Sequence, residues 1–159
     1  MDYYIVQFND EEIVKYAIWY TDEEDGFINQ NGRILFFDCI KSLKEFCDNN
    51  ITISDDEIPY VYDIGYLKKW ILSPDNRFDC SDLLDFWNAI SDASKSIGVK
   101  FEGDDKENEE ANRLYSKLFH GCNLSAINTS GKKYNPEWEQ KEIDCLAKIL
   151  STYEVFVLI

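Results

Sequence analysis

The hydrophobic period of this chain changes near Asp38, and that change limits the fold more than any other feature. Up to Phe37 apolar residues recur at every second position, the period of a strand; beyond it they recur every three or four, the period of a helix. Tyr4, Val6 and Phe8 alternate with Tyr3, Ile5 and Gln7. After the Asn9-Asp10 turn, Val14, Tyr16, Ile18 and Tyr20 take one face of a second run, while Ile13, Ala17 and Trp19 load the other. That is the pattern of a strand covered on both sides. Residues 27–30 and 33–37 flank Asn31-Gly32, a two-residue hairpin turn whose central positions both need positive φ. Four strands, mostly antiparallel, are expected.

Beyond Asp38, an expected N-cap, Ile40, Leu43, Phe46 and Cys47 fall at helical spacing as far as Asn49-Asn50. Ile51-Thr52-Ile53 reads as a short strand and 55–59 as a loop. A second helix is expected from Asp63 through Leu67, Trp70 and Ile71 to Ser73-Pro74. A third, capped by Ser81, carries Leu83, Leu84, Trp87, Ile90 and Ile97 and closes on Gly98. The latter part of the acidic stretch 102–110 suits the start of a fourth, whose stripe is Leu114, Tyr115, Leu118 and Phe119 and which Gly121 ends. Residues 123–133 read as a polar connection. Asn135-Pro136 offers an N-cap and a first-turn proline to a fifth helix bearing Ile143, Leu146, Ala147 and Leu150. The apolar, β-prone segment 153–159 is expected to return to the sheet. With 159 residues, about one domain's length, the expected fold is a single α+β domain over 1–159. Its mostly antiparallel sheet comes from the N-terminal strands plus a C-terminal strand, packed against about five helices.

Charge narrows the function classes. Thirty-one Asp and Glu against 16 Lys and Arg leave a net charge of −15, which opposes direct binding to nucleic acid or to anionic membrane surfaces. No stretch approaches the roughly 20 apolar residues of a membrane span, and Met1-Asp2-Tyr3-Tyr4 lacks the basic start of a signal peptide. Cys39, Cys47, Cys80, Cys122 and Cys145 are odd in number and scattered, with no C-x-x-C pair. Five free thiols in a reducing cytoplasm are expected.

Motifs of catalysis are sparse. The single histidine, His120, lies at a helix end two residues before Cys122, where side chains diverge and the helix dipole favours a histidine for its own sake. Paired Cys or His ligands for zinc, a glycine-rich phosphate loop and a calcium loop are missing from the sequence. No cofactor, metal or catalytic set is expected. The acid, by contrast, is concentrated. Asp22, Glu23, Glu24 and Asp25 form one expected loop and Asp55, Asp56 and Glu57 another, with no basic residue inside either run. A charge of −15 exceeds the magnitude of about 2–8 that solubility asks of a small domain. Such a field speeds association with a basic partner by roughly 10–10³-fold. These seven residues are the expected partner-binding set.

The stretch Ile34-Leu35-Phe36-Phe37-Asp38-Cys39-Ile40-Lys41-Ser42-Leu43-Lys44-Glu45-Phe46-Cys47 is similar to the strand-to-helix junction of immunity proteins from bacterial contact-dependent growth inhibition systems. The likeness continues in Tyr62-Asp63-Ile64-Gly65-Tyr66-Leu67-Lys68-Lys69-Trp70, in Leu83-Leu84-Asp85-Phe86-Trp87-Asn88, and from Lys117 through Leu124 to Tyr134-Asn135-Pro136-Glu137-Trp138. The resemblance implies a cytoplasmic, non-enzymatic protein that binds the toxin domain of a delivered effector, often a nuclease, and blocks its active site or a nearby surface. The matching residues are those of cores and caps, so the resemblance assigns no toxin contact by motif. Two other readings of the residues stay open: a small cytosolic enzyme using His120 with a cysteine or carboxylate, and an acidic nucleic-acid mimic that occupies a DNA-binding protein.

Overall fold

The computed structural model describes residues 1–54, 56–75 and 78–158. The fold is α+β, as expected, with two compact units each assembled from separated stretches of sequence. Met1–Gly65, Asp92–Val99 and Glu154–Ile159 make one; Tyr66–Ser91 and Lys100–Tyr153 make the other.

The first unit is built on β1 (Asp2–Asp10) and β2 (Ile13–Thr21), antiparallel along their whole length from Asp2 opposite Thr21 to Asp10 opposite Ile13. The short β3 (Gly26–Phe27) pairs with β2. A separate hairpin joins β4 (Asn29–Gln30) to β5 (Arg33–Ile34). Its turn residues Asn31 and Gly32 have φ of 53° and 72°, the conformation the dipeptide favours. Phe37 then bridges back to Tyr16. After helix α1 (Ile40–Asn50), strand β6 (Tyr60–Asp63) lies parallel to β1, with Tyr60 opposite Val6. The sheet order is β3-β2-β1-β6.

Alternation along the strands loads both faces of this sheet. Ile5 and Ile18, directly opposed, form a buried cluster with Leu43 and Cys47 of α1. On the other face Val6, Phe8, Ala17 and Phe27 are buried. There the last turns of α3 (Cys80–Ile97), which follows α2 (Ile64–Leu72), are tied to the strands. Trp19 Nε1 donates to Asp92 Oδ2 at 3.0 Å, and the Phe27 amide donates to Ser96 Oγ at 2.8 Å.

The second unit is helical: most of α2, the first part of α3, a 3₁₀ turn (Glu102–Asp104), α4 (Glu109–Gly121) and most of α5 (Gln140–Leu158). Leu67, Leu83, Phe86, Trp87, Leu114, Leu118 and Leu146 fill its interior. Trp87 meets Phe101 and Tyr115 edge-on, and Phe86 meets Tyr153 in the same way, the geometry favoured by opposed ring quadrupoles.

Several expectations need correction. The C-terminal strand does not form: α5 continues to Leu158. Although 155–159 is β-prone, its context completes the helical stripe of buried Ile143, Leu146, Ile149, Leu150, Tyr153 and Phe156. A helix satisfies its own backbone, whereas a strand there would need a ladder partner. Ile51 and Ile53 pack against the α1 cluster without forming a strand. The strand β6 was hidden by its short, tyrosine-rich sequence beside Pro59. Asp38 is not the cap of α1; Cys39 stands there, and the Asp38 carboxylate pairs with Lys15. Asp79, rather than Ser81, caps α3 through its carboxylate, which accepts the Ser81 amide at 2.9 Å. Helix α5 opens at Gln140, past Pro136. Its Glu142 carboxylate reaches back to the Glu139 amide at 3.0 Å, the reciprocal half of a capping box.

Candidate functional site

Strand direction gathers the expected partner-binding residues at one end of the sheet. β2 returns to Thr21 opposite Asp2, so the loop bearing Asp22, Glu23, Glu24 and Asp25 leaves the sheet where β1 begins. β6 runs parallel to β1, so the chain bearing Asp56 and Glu57 enters from that same end. Tyr60 is level with Val6, four residues in from Asp2. β2 and β6 flank β1 on either side, which separates them by roughly 10 Å, well within one protein–protein interface.

Asp22, Glu23, Glu24 and Asp25 are all exposed, as is Asp2 beside them. None of the four loop carboxylates makes a side-chain hydrogen bond or ion pair among the described residues. Asp56 is exposed and Glu57 half-buried, their amides turned onto Ser54. Asp55 lies outside the described residues.

An apolar feature beside the acid was not expected. Ile58 is 83% and Tyr60 51% exposed, and Tyr4 also reaches solvent. The Tyr60 ring sits 4.9 Å from that of Tyr62, which stacks at 5.3 Å on buried Phe8. An exposed tyrosine is thereby braced through a second ring against the core. Only the β6 register, not the local sequence, puts these rings in one row.

The groups of the enzyme reading are dispersed. His120 ends α4 with Nδ1 donating to the Ser116 carbonyl at 2.7 Å, the interaction of a helix-terminal histidine with its own helix. The Ser116 hydroxyl, 3.5 Å from the same nitrogen, is too far to be activated by it. The cysteines differ in character. Hydrogen bonding from the Ser42 side chain and backbone holds the exposed Cys39 thiol below the usual range. Burial, with lesser contributions from Cys122 and Asp79, pushes Cys80 up to about 11. Burial also raises Cys47, Cys122 and Cys145. Among the described residues, no three His, Cys, Asp or Glu side chains are grouped as a metal site would require. No described helix is long and apolar enough to cross a membrane.

A second concavity lies in the helical unit. The segment 122–135, whose residues 123–133 read as a plain polar connection, folds along α4 and forms with it an open groove of about 600 Å³. Its signal in the sequence was the pair Leu124 and Ile127 amid polar residues, with Lys132-Lys133 close behind.

Comparison with protein-family models, with curated proteins and with solved structures found no match to this chain.

Proposed function

We propose that this chain is a cytoplasmic immunity protein of a contact-dependent growth inhibition system, neutralising a cognate toxin domain by stoichiometric binding. The observation that carries this reading is the acidic end of the sheet, where the β2–β3 loop with its exposed, unpaired carboxylates leaves at the end from which the chain enters β6 and its braced tyrosine Tyr60. Unpaired carboxylates keep their field for a partner, and a rigid aromatic anchor beside them has the form of an interface hot spot with a charged rim. The partner is a basic nuclease domain, whose phosphate-binding cleft presents lysines and arginines in the sense these carboxylates complement. The resemblance of residues 34–47 and of the later stretches supports the same reading.

The test is titration calorimetry and stopped-flow association with a basic nuclease toxin domain, to be sought in the reading frame neighbouring the one that encodes this chain. Replacing Asp22, Glu23, Glu24 and Asp25 by their amides should leave the fold intact, slow association about tenfold at low salt and flatten its salt dependence. Tyr60→Ala should raise dissociation. Unchanged binding in both variants would refute the proposed surface, and absence of any complex with wild-type protein would refute the immunity reading.

A further inference from the structure

We propose that the helical unit carries a binding site for a small organic phosphate monoester of about mononucleotide size, between α4 and the loop 122–135. This site is distinct from the acidic end of the sheet and does not depend on the toxin-binding reading.

The argument starts from the spacing along α4. Arg113, Ser116, Lys117 and His120 stand at i, i+3, i+4 and i+7, one stripe of the helix, with the opposite stripe of Ala111, Leu114 and Leu118 buried. The loop beyond Gly121 folds over the polar stripe and is fixed by two side-chain amides. The Asn123 carbonyl oxygen accepts from the Tyr134 amide at 2.7 Å and from Asn128 Nδ2 at 2.9 Å. Asn123 Nδ2 donates to the Gly121 and Tyr134 carbonyls, and Asn128 Nδ2 to the Lys132 carbonyl at 2.7 Å. Asn123 and Gly131 take the positive φ values, 53° and 73°, that let the chain double back. Polar latches thus shape the loop, and they leave its apolar side chains uncovered: Leu124 is 49% and Ile127 45% exposed. With Phe119 and Tyr134 they line an open groove of about 600 Å³, within the size range of small-molecule sites.

The charge of this groove runs against that of the protein. In a chain of net charge −15, no Asp or Glu lines it, while Arg113, Lys117 and Lys132 do. Lys117 is already committed: its ammonium pairs with Glu142 and with the Glu137 carbonyl. Arg113 and Lys132 make no ion pair among the described residues. Those two cations match the near-dianionic charge of a phosphate monoester. The guanidinium fork suits two of its oxygens, and the Ser116 hydroxyl and Lys132 ammonium, which line the same groove, can donate to the third. With Nδ1 donating to the Ser116 carbonyl, His120 has Nε2 left to meet a ligand. A bare inorganic ion would leave the walls of Phe119, Leu124, Ile127 and Tyr134 wet. The apolar and aromatic lining therefore calls for an organic body, with a planar ring stacked on Phe119 or Tyr134.

Titration calorimetry on the full chain at low ionic strength tests this, with AMP, UMP and phenyl phosphate as probes and adenosine and inorganic phosphate as controls. At least one probe should saturate a single site with a Kd below about 1 mM. Arg113→Gln and Lys132→Gln, both at exposed positions outside the core, should each weaken it about tenfold. Adenosine and inorganic phosphate should each bind at least about tenfold more weakly than the best probe. The amide variant of the β2–β3 loop should bind the probe as wild type does, which separates this site from the toxin surface. Failure of all three probes to saturate, unchanged affinity in both Gln variants, or inorganic phosphate binding as tightly as the best probe would each overturn the assignment.

Discussion

Lys117 and Glu142 form a paired charge in the helical unit, with Nζ 2.9 and 3.1 Å from the two carboxylate oxygens. Lys117 also donates to the Glu137 carbonyl and lies over the Trp138 ring, 4.8 Å from its centroid. Glu142 in turn accepts the Glu139 amide at the start of α5. One ion pair thus joins α4 to α5 and to the chain leading into it. Burial raises the Glu142 carboxyl, but the Glu139 amide and the Lys117 ammonium outweigh it and hold the group below its usual range.

Removing one partner leaves the other desolvated, so Lys117→Met should destabilise the protein by about 3 kcal/mol. A carboxyl whose pKa is depressed on folding adds stability above its unfolded value of 4.5, and that stability is lost as the pH falls through the folded value. The unfolding midpoint of wild-type protein should therefore drop more steeply below about pH 4.5 than that of Glu142→Gln. Parallel profiles from thermal melts across this range would show that the pair adds nothing.

Phe156 is buried at the end of α5, in the first unit, and lines a concavity with Ile34 and Phe36. Phe156→Ala should cost about 3–5 kcal/mol, measured by urea unfolding. Val155→Ala, at a half-exposed neighbour, should cost far less. Tyr153→Ala, three residues before Phe156 and equally buried, should cost a comparable amount, because a helix puts positions three apart on one face and a strand puts them on opposite faces. A small loss at Tyr153 beside a large one at Phe156 would contradict the helical assignment of the tail.

The five thiols should react in a fixed order. Cys39 is exposed and its pKa lowered, whereas Cys47, Cys80, Cys122 and Cys145 are raised. At about pH 8 a disulfide reagent should label one thiol quickly, and Cys39→Ser should abolish that phase. Denatured, unreduced protein should yield all five. A fast phase that survives in Cys39→Ser would place the reactive thiol elsewhere.

Gly121 has no positive φ, yet a Cβ there would meet Cys80 Sγ at 2.5 Å and Pro136 Cγ at 2.9 Å. Gly121→Ala should thus destabilise by about 1–3 kcal/mol through overpacking. The double variant with Cys80→Ala should recover part of that loss, since it removes the nearer atom. Denaturant unfolding of the single and double variants measures both effects.

Local chemistry made much of the fold legible. The apolar residues on both faces of the second run, Ile18 on one and Ala17 on the other, marked a strand covered on both sides, and Asn31-Gly32 marked a hairpin turn. Gly98, with φ of 69°, closes α3 as its position after Ile97 demanded. Gly121 was readable as the end of α4, but the reason for it was not: it makes room for Cys80 and Pro136, residues distant in sequence.

By itself, then, the sequence determined which segments are helical or extended wherever the period was long, because side-chain spacing and turn stereochemistry act within a few residues. It also determined the excess of acid and the loop that carries Asp22 to Asp25. Three things depended on tertiary structure. Residues 155–158, locally suited to a strand, became helix because their neighbours upstream already formed the stripe they extend. The parallel pairing of β6 with β1 brought the Asp56 loop to the same end of the sheet as the Asp22 loop and lined up Tyr60, Tyr62 and Phe8. The folding of 122–135 along α4 set Lys132 and Arg113 along one groove. In each case the deciding contact joins residues far apart in the chain, and periodicity carries no information about which distant partner a segment will meet.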